Sequence, residues 1–328
     1  MQGMKNAHKR WRGLAALLLV AMLMVVAACG NGSGSNGGNG SNGQGQQPQQ
    51  QEQSQQSAYP LTVKDDTGTE ITFEQAPSKV VTLAPSETEV MYAIGAGEQV
   101  AGVDAFSNYP PEAASKPQIG DMTTNIEAVV ALTPDLVLAS SSMNAEAVTK
   151  LRELKIAVYA TDPTTYDATA DKITTIGRIV GKEKEAETVA QHMKDVKQQV
   201  QDAVKDAAKK PVYLEFSPGW TVGSGTFLNE LLTIAGGTNI SAAQPGWFEV
   251  SAEEVVKQNP QLIIYPDLKE DPNPIAAAFA QRPGWDAIDA IKNKQLFAVA
   301  EDPLVRVGPR LADGLLELAK TIHPDLFS

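Results

Sequence analysis

From residue 80 onward the chain alternates short apolar runs with longer stretches whose apolar residues recur at helical spacing. The runs Val80 to Leu83, Val100 to Val103, Leu136 to Ala139 and Ala157 to Thr161 are rich in β-branched side chains. Alternation of this kind predicts a parallel sheet covered by helices. The same grammar returns at Val212 to Phe216, Leu262 to Tyr265 and Leu296 to Val299. Ser86-Glu87-Thr88-Glu89 has the spacing of a capping box, and the helix it opens is expected to stop at Gly95 to Gly97. The last helix is expected to begin at Pro309 and to end before His323-Pro324.

The two halves repeat one register. Asn125-Ile126-Glu127 leads to Pro134-Asp135-Leu136-Val137-Leu138, and Ser251-Ala252-Glu253 leads to Pro260-Gln261-Leu262-Ile263-Ile264, offset by 126 residues. A second echo precedes each copy: Lys79 to Leu83 is followed by Glu89 and Gly95-Ala96-Gly97, and Pro211 to Phe216 by Glu230 and Ala235-Gly236-Gly237. Two similar Rossmann-like α/β lobes with a cleft between them are therefore expected. Between them, residues 166–210 show no strand signal and are rich in Ala, Lys, Glu, Gln and Val. Gly181 splits this segment into two helices, the second from Lys182 to Lys209 and about 42 Å long, a strut joining the lobes. A coiled-coil partner helix is the competing account of the same pattern.

The ends read differently. Lys5, Lys9, Arg10 and Arg12 precede an apolar stretch from Leu14 to Ala28, the pattern of an export signal over residues 1–28. It stops at Val26-Ala27-Ala28-Cys29-Gly30, which resembles the bacterial lipoprotein processing site, where the cysteine is acylated and becomes the new N-terminus. Cys29 is the only cysteine, which excludes an internal disulfide framework, zinc-thiolate clusters and dithiol redox chemistry. Gly30 stands where an aspartate would hold a lipoprotein at the inner membrane of a two-membrane bacterium, so the outer face of a single-membrane cell is favoured. Residues 29–58 are then the acylated cysteine and a disordered Gly/Asn/Ser/Gln tether spanning about 30 Å. The remainder divides into an N-terminal lobe (59–165), the helical linker (166–210) and a C-terminal lobe (211–328).

A formal charge of −12, which loses four cations more with the leader, makes contact with nucleic acid or with anionic lipid unfavourable. Membrane attachment has to come from the acyl anchor.

Several motifs taken together resemble the substrate-binding lipoproteins of ABC importers for corrinoids, haem and iron-siderophores. They are Ala84-Pro85-Ser86-Glu87-Thr88-Glu89, Tyr109-Pro110-Pro111, Asn125-Ile126-Glu127 with Pro134-Asp135-Leu136-Val137, and Gly308-Pro309-Arg310-Leu311, and the match spans about residues 60–327. Phe106-Ser107-Asn108-Tyr109, Trp220, Trp247, and Asp302 with Arg306 look most like the cobalamin-binding members. The resemblance implies a monomeric, non-enzymatic binding protein without a cofactor. It would deliver a tetrapyrrole-like ligand to a permease and its ATPase.

It also implies that Glu127 and Glu253 dock onto arginines of the permease, although a glutamate in a first helical turn is also favoured by the helix dipole alone. Glu254 is the expected capping-box partner of Ser251. Phe106, Tyr109, Trp220 and Trp247 are the expected aromatic walls, the tryptophans in loops after Ser217-Pro218-Gly219 and Pro245-Gly246. Asp302 and Arg306 are the expected polar contacts, and Pro85 and Ser86 contribute backbone. A lobe-core place for each aromatic and a surface ion pair for Asp302–Arg306 are the alternatives.

Haem is the neighbouring reading, with Met122 as an axial ligand, and ferric siderophores remain open through Arg306. His8, His192 and His323 lie in the leader, the strut and the C-terminal helix end, which disfavours a transition-metal carrier. No Gly-x-Ser-x-Gly elbow is present, and Gly219 to Gly225 lacks the Lys-Ser/Thr ending of a phosphate loop, which leaves it a flexible pocket loop. A structural or adhesive surface lipoprotein is the alternative from a different class.

Overall fold

The computed structural model describes residues 59–327. The export signal, Cys29 and the tether lie outside the described residues.

Two four-stranded sheets carry the fold, and both are parallel throughout. In the first, the spatial order is Val100–Val103, Val80–Thr82, Leu136–Ala139, Val158–Ala160. In the second it is Gly237–Asn239, Lys210–Leu214, Leu262–Pro266, Leu296–Val299. Numbered along the chain, each sheet reads 2-1-3-4, so the repeat seen in the sequence is a repeat of topology. In sheets of this kind the strand order reverses between strands 1 and 3, and ligands bind outside the carboxyl ends of the strands at that point. The residues that follow the two first strands are Pro85 with Ser86, and Glu215 through Trp220.

The strands read as uninterrupted apolar runs because both faces are covered. Val80, Leu136 and Leu138 point to one side of the first sheet, while Val81, Val137 and Ala139 point to the other. Val212, Leu214, Leu262 and Ile264 alternate in the same way with Tyr213 and Ile263 in the second. The first group from each sheet belongs to one continuous core, closed by the helices Tyr166–Ile179, Glu183–Val204 and Leu311–Ile322. The second groups form a separate outer core on each lobe.

The segment between the sheets is two helices broken at Gly181, whose φ of +72° ends the first helix. The strut is shorter than expected: Glu183–Val204 has 22 residues, about 33 Å. The chain leaves helical geometry after Lys205 because it must enter the strand at Lys210. The strut packs along its Ala186, Ala190, Met193, Val196, Val200 stripe against Tyr166–Ile179 and Leu311–Ile322, which accounts for its apolar spacing. A Cβ on Gly177 would meet the Ala186 Cβ at 2.2 Å, so the helix pair needs glycine there.

Several local expectations are corrected. No capping box opens Pro85–Ala93: the helix starts with Pro85 at its first turn, Ala84 makes no side-chain cap, and Ser86 Oγ donates to Glu87 Oε2 at 2.7 Å. The Glu89 carboxylate is drawn instead to two arginines. The final helix is Leu311–Ile322, preceded by a turn containing Pro309. The strand Gly237–Asn239 and an antiparallel pair, Leu61–Lys64 with Glu70–Phe73, are additions to the predicted elements.

Candidate ligand cleft and docking surface

At the carboxyl end of the first sheet, a chain of buried hydroxyls fixes the loop after Val100–Val103. Thr82 Oγ1 and Thr88 Oγ1 are 2.6 Å apart, Thr88 Oγ1 and Ser107 Oγ 2.7 Å, and Ser107 Oγ donates to Asp104 Oδ2 at 2.5 Å. The Phe106 amide donates to the other oxygen of Asp104 at 2.8 Å. Burial pushes the Asp104 carboxyl above the usual carboxylate range, against the pull of these hydrogen bonds and of Arg306. Held from below, the loop presents Phe106 and Tyr109 at 49% and 45% exposure. Both are surface aromatics, so a lobe-core place for them is excluded.

The second lobe meets this loop through the turn that follows Asp302–Val305. Arg306 Nη1 donates to Glu89 Oε1 at 2.8 Å and to Asn108 Oδ1 at 2.9 Å, and Nη2 lies 2.9 Å from Asp302 Oδ1. Arg310 donates to both oxygens of Glu89 and lies over the Tyr109 ring, 4.2 Å from its centroid. A Cβ on Gly308 would sit 3.4 Å from the Ser86 carbonyl oxygen, so Pro85-Ser86 abuts this turn. Six of the expected ligand residues, Pro85, Ser86, Phe106, Tyr109, Asp302 and Arg306, thus gather around Glu89. The Asp302–Arg306 pair is real but part of a larger network, because Arg306 spans both lobes. Glu89 and Arg310 are not among the expected ligand residues; the sequence marks Glu89 through the repeat, the capping-box spacing and a family motif, and Arg310 through the motif Gly308-Pro309-Arg310-Leu311.

Trp220 and Trp247 are not loop residues. They open the paired strands Trp220–Val222 and Trp247–Glu249, with Trp220 opposite Glu249 and Trp247 opposite Val222. This register puts both indoles on one face of the ribbon as diagonal neighbours, and they are 44% and 45% exposed. Gly219 to Gly225 is therefore a structured ribbon edge, not a flexible loop. Just past the first strand the backbones run too close for a side chain: a Cβ on Gly223 would lie 1.8 Å from the Gln244 carbonyl oxygen. Among the described residues no ring contact joins the tryptophans to Phe106 or Tyr109.

Glu127 and Glu253 occupy the second positions of Ile126–Ala131 and Ala252–Gln258, the helices that precede the third strand of each sheet. Asn125 caps the first through its side chain, accepting from the Ala128 amide at 3.0 Å. Ser251 makes no side-chain cap, and Glu254 bonds Gln258 and Lys257 instead of closing a capping box. Both Glu127 and Glu253 are exposed, and neither has an ion-pair or hydrogen-bond partner among the described residues. Met122 is also exposed, while His323 is buried with Nε2 3.2 Å from the Gly236 carbonyl oxygen. Among the described residues no helix is long and apolar enough to cross a membrane, and no group of His, Cys, Asp and Glu is arranged to hold a metal ion.

Residues 80–303 match the family described as periplasmic binding protein. The chain belongs to that family. Its members are binding proteins of ABC transporters, not enzymes. The chain is 35% identical to the uncharacterized ABC transporter substrate-binding lipoprotein YvrC of Bacillus subtilis, over 97% of this chain and 99% of that one. It is 31% identical to a cobalamin-binding protein of Halobacterium salinarum, over 81% of this chain and 75% of that one. Among solved structures, a "possible" iron-binding (periplasmic solute-binding) protein from Staphylococcus epidermidis superposes with a TM-score of 0.66 at 30% identity. It covers 76% of this chain and all of its own length (100%).

Proposed function

We propose that this binding protein captures a corrinoid of the cobalamin type outside the cytoplasmic membrane and hands it to an ABC importer made of a permease and its ATPase. The observation that carries the choice of cargo is the set of four half-exposed aromatics, Phe106 and Tyr109 beside one sheet and Trp220 and Trp247 on a ribbon of the other. A corrinoid is a wide, partly apolar disc fringed by amides, and aromatic faces with a few hydrogen-bonding groups suit it. The 31% identity to a cobalamin-binding protein supports the same reading.

In this reading residues 1–28 are the export signal, acylated Cys29 anchors the tether at the outer face of the membrane, and 59–165, 166–210 and 211–328 are the first lobe, linker and second lobe. Asp302 and Arg306 contribute polar contacts from the rim they share with Glu89, and Pro85-Ser86 supplies backbone at the switch point. Glu127 and Glu253 meet cations of the permease, one per lobe, so their spacing depends on how the lobes sit.

An iron-containing cargo, haem or a ferric siderophore, is the second reading, favoured by the similarity to the Staphylococcus epidermidis protein at 30% identity. Titration of the purified protein with cyanocobalamin, dicyanocobinamide, haem and ferric siderophores, followed by tryptophan fluorescence, separates the two. The corrinoid reading expects saturable one-to-one quenching by the corrinoids. Saturable quenching by haem or a siderophore alone overturns it, and no stoichiometric ligand at all favours a structural lipoprotein.

A further inference from the structure

Beneath the tryptophan ribbon lies a fully buried carboxylate that none of the proposed contacts uses. Glu215 follows the first strand of the second sheet, at the switch point, and three groups converge on it. Arg282 donates from Nη1 to Oε2 and from Nη2 to Oε1, both at 2.6 Å. Tyr213 Oη donates to Oε2 at 2.9 Å, and the Gly219 amide donates to Oε1 at 2.9 Å.

That last bond reaches the base of the ribbon. Gly219 lies at the centre of the turn Ser217–Trp220, closed by the Trp220 amide on the Ser217 carbonyl at 2.8 Å. Pro218 and a Gly219 of φ +79° are the residues such a turn requires at its two central positions. The Gly219 carbonyl in turn accepts from the Val250 amide at 2.8 Å, just past the second ribbon strand. Gly219 is therefore gripped on one side by Glu215 and on the other by the partner strand, immediately before Trp220. The guanidinium that holds Glu215 is itself fixed: it lies over the Trp285 ring at 4.5 Å and the Phe279 ring at 5.4 Å. Packing of that kind leaves a planar fork one orientation.

We infer that the Glu215–Arg282 pair is a positioning device for Trp220, fixing the direction in which the ribbon leaves the second sheet and so the angle at which the indole faces the cargo. This deepens the proposed function and rests on its assignment of Trp220 to the cleft wall. A pair that served stability alone would have no need of the Gly219 amide. Here the same oxygen, Oε1, serves both Arg282 and Gly219, so a shift of the fork is passed to the turn.

The test uses full-length protein in detergent, with Arg282→Lys, which keeps the charge and loses the fork. Amide hydrogen exchange is read at Gly219 and Trp220, with Leu262–Pro266 as the reference strand of the same lobe. Cyanocobalamin affinity is measured for wild type, Arg282→Lys, Trp220→Ala and the double variant. The expected result is faster exchange at Gly219 with the reference strand unchanged. Affinity should fall on the order of tenfold, the scale of one charge-assisted hydrogen bond, and the fall should vanish in the Trp220→Ala background. Unchanged exchange at Gly219, or an equal loss of affinity with and without Trp220, overturns the inference. If Trp220→Ala binds cyanocobalamin as wild type does, the wall assignment fails, and the exchange measurement still decides whether the pair holds the turn. Should Arg282→Lys unfold the lobe, Glu215→Leu with Arg282→Met gives the same comparison without an unpaired buried charge.

Discussion

Glu89 of the first lobe and Arg310 of the second form a two-pronged ion pair, with Arg310 Nε 2.9 Å from Oε2 and Nη2 2.6 Å from Oε1. The side chain of Glu89 is almost fully buried, and Arg306 shares Oε1. Its counterpart in the repeat, Glu230, also reaches beyond its own sheet: its Oε2 accepts from the Tyr166 amide at 2.6 Å, at the first residue of the linker helices. Equivalent carboxylates have thus become fasteners between the halves, one at the cleft and one at the linker.

Removing Glu89 leaves two partly buried guanidiniums with only the partly exposed Asp302 carboxylate between them as counter-charge. Glu89→Ala is expected to lower unfolding stability by about 3 kcal/mol, the cost of breaking a buried pair from one side. Glu89→Gln, which can still accept hydrogen bonds, should cost less. Urea unfolding measures the difference, and X-ray scattering should show wider separation of the lobes in Glu89→Ala. A variant as stable and as compact as wild type would show that the pair does not fasten the lobes.

The ribbon offers a second test, because two of its glycines are needed for different reasons. A Cβ at Gly223 collides with the Gln244 carbonyl oxygen, whereas Gly246 has open space but a φ of +71°. Gly223→Ala is expected to cost about 2 kcal/mol through overpacking, and Gly246→Ala about 1 kcal/mol through backbone strain. Thermal unfolding ranks them, and the fluorescence of Trp247 should change more in Gly223→Ala. The reverse ranking would mean that the strands can part without cost.

Acid should act through Asp65. Burial pushes this carboxyl up, but hydrogen bonds from Thr67 and from the Ala160 and Thr69 amides, with the charge of Arg152, outweigh it and hold the carboxyl below its usual range. The native state therefore binds this proton more weakly than the unfolded chain does. Its stabilisation is complete above the unfolded value of about 3.9 and is lost as pH falls through the depressed native value. Asp104, raised by burial, has the opposite sign: its contribution declines as pH rises from the unfolded value through the raised one. Urea midpoints between about pH 2.5 and 7 should show a shallower acid limb in Asp65→Asn than in wild type. An unaltered limb would remove Asp65 from the account.

Much of this fold is written locally. Val80, Leu136, Val212 and Leu262 open or sit in strands covered on both sides, and such strands appear in sequence as short β-branched runs whose order along the chain repeats. The Glu127 and Glu253 helices were legible for the same reason. The strand Gly237–Asn239 was not, because a single β-branched residue, Thr238, between a glycine and an asparagine is too short a run to show periodicity or strand propensity. The tryptophan ribbon hid behind its glycines, which read as loop when they mark a close approach of two strands. The fasteners were invisible for another reason: Glu89 is separated from Arg306 by 217 residues and from Arg310 by 221, and no local pattern encodes such a pairing.

Glu127 and Glu253 provide the final prediction because, among the described residues, no side chain pairs with their charge. Each is exposed at the start of a helix, without a partner among the described residues, so reversing its sign strands no buried group. The combined Glu127→Lys, Glu253→Lys variant is expected to lower unfolding stability by no more than about 2 kcal/mol, the helix-dipole cost of two reversed first-turn charges, and to keep cyanocobalamin affinity near that of wild type. Stimulation of the importer's ATPase in reconstituted vesicles should be lost. Each single variant should retain part of it, because two linked contacts contribute more together than either does alone. If cargo binding falls with the double reversal, the carboxylates belong to the cleft and not to the surface that meets the permease.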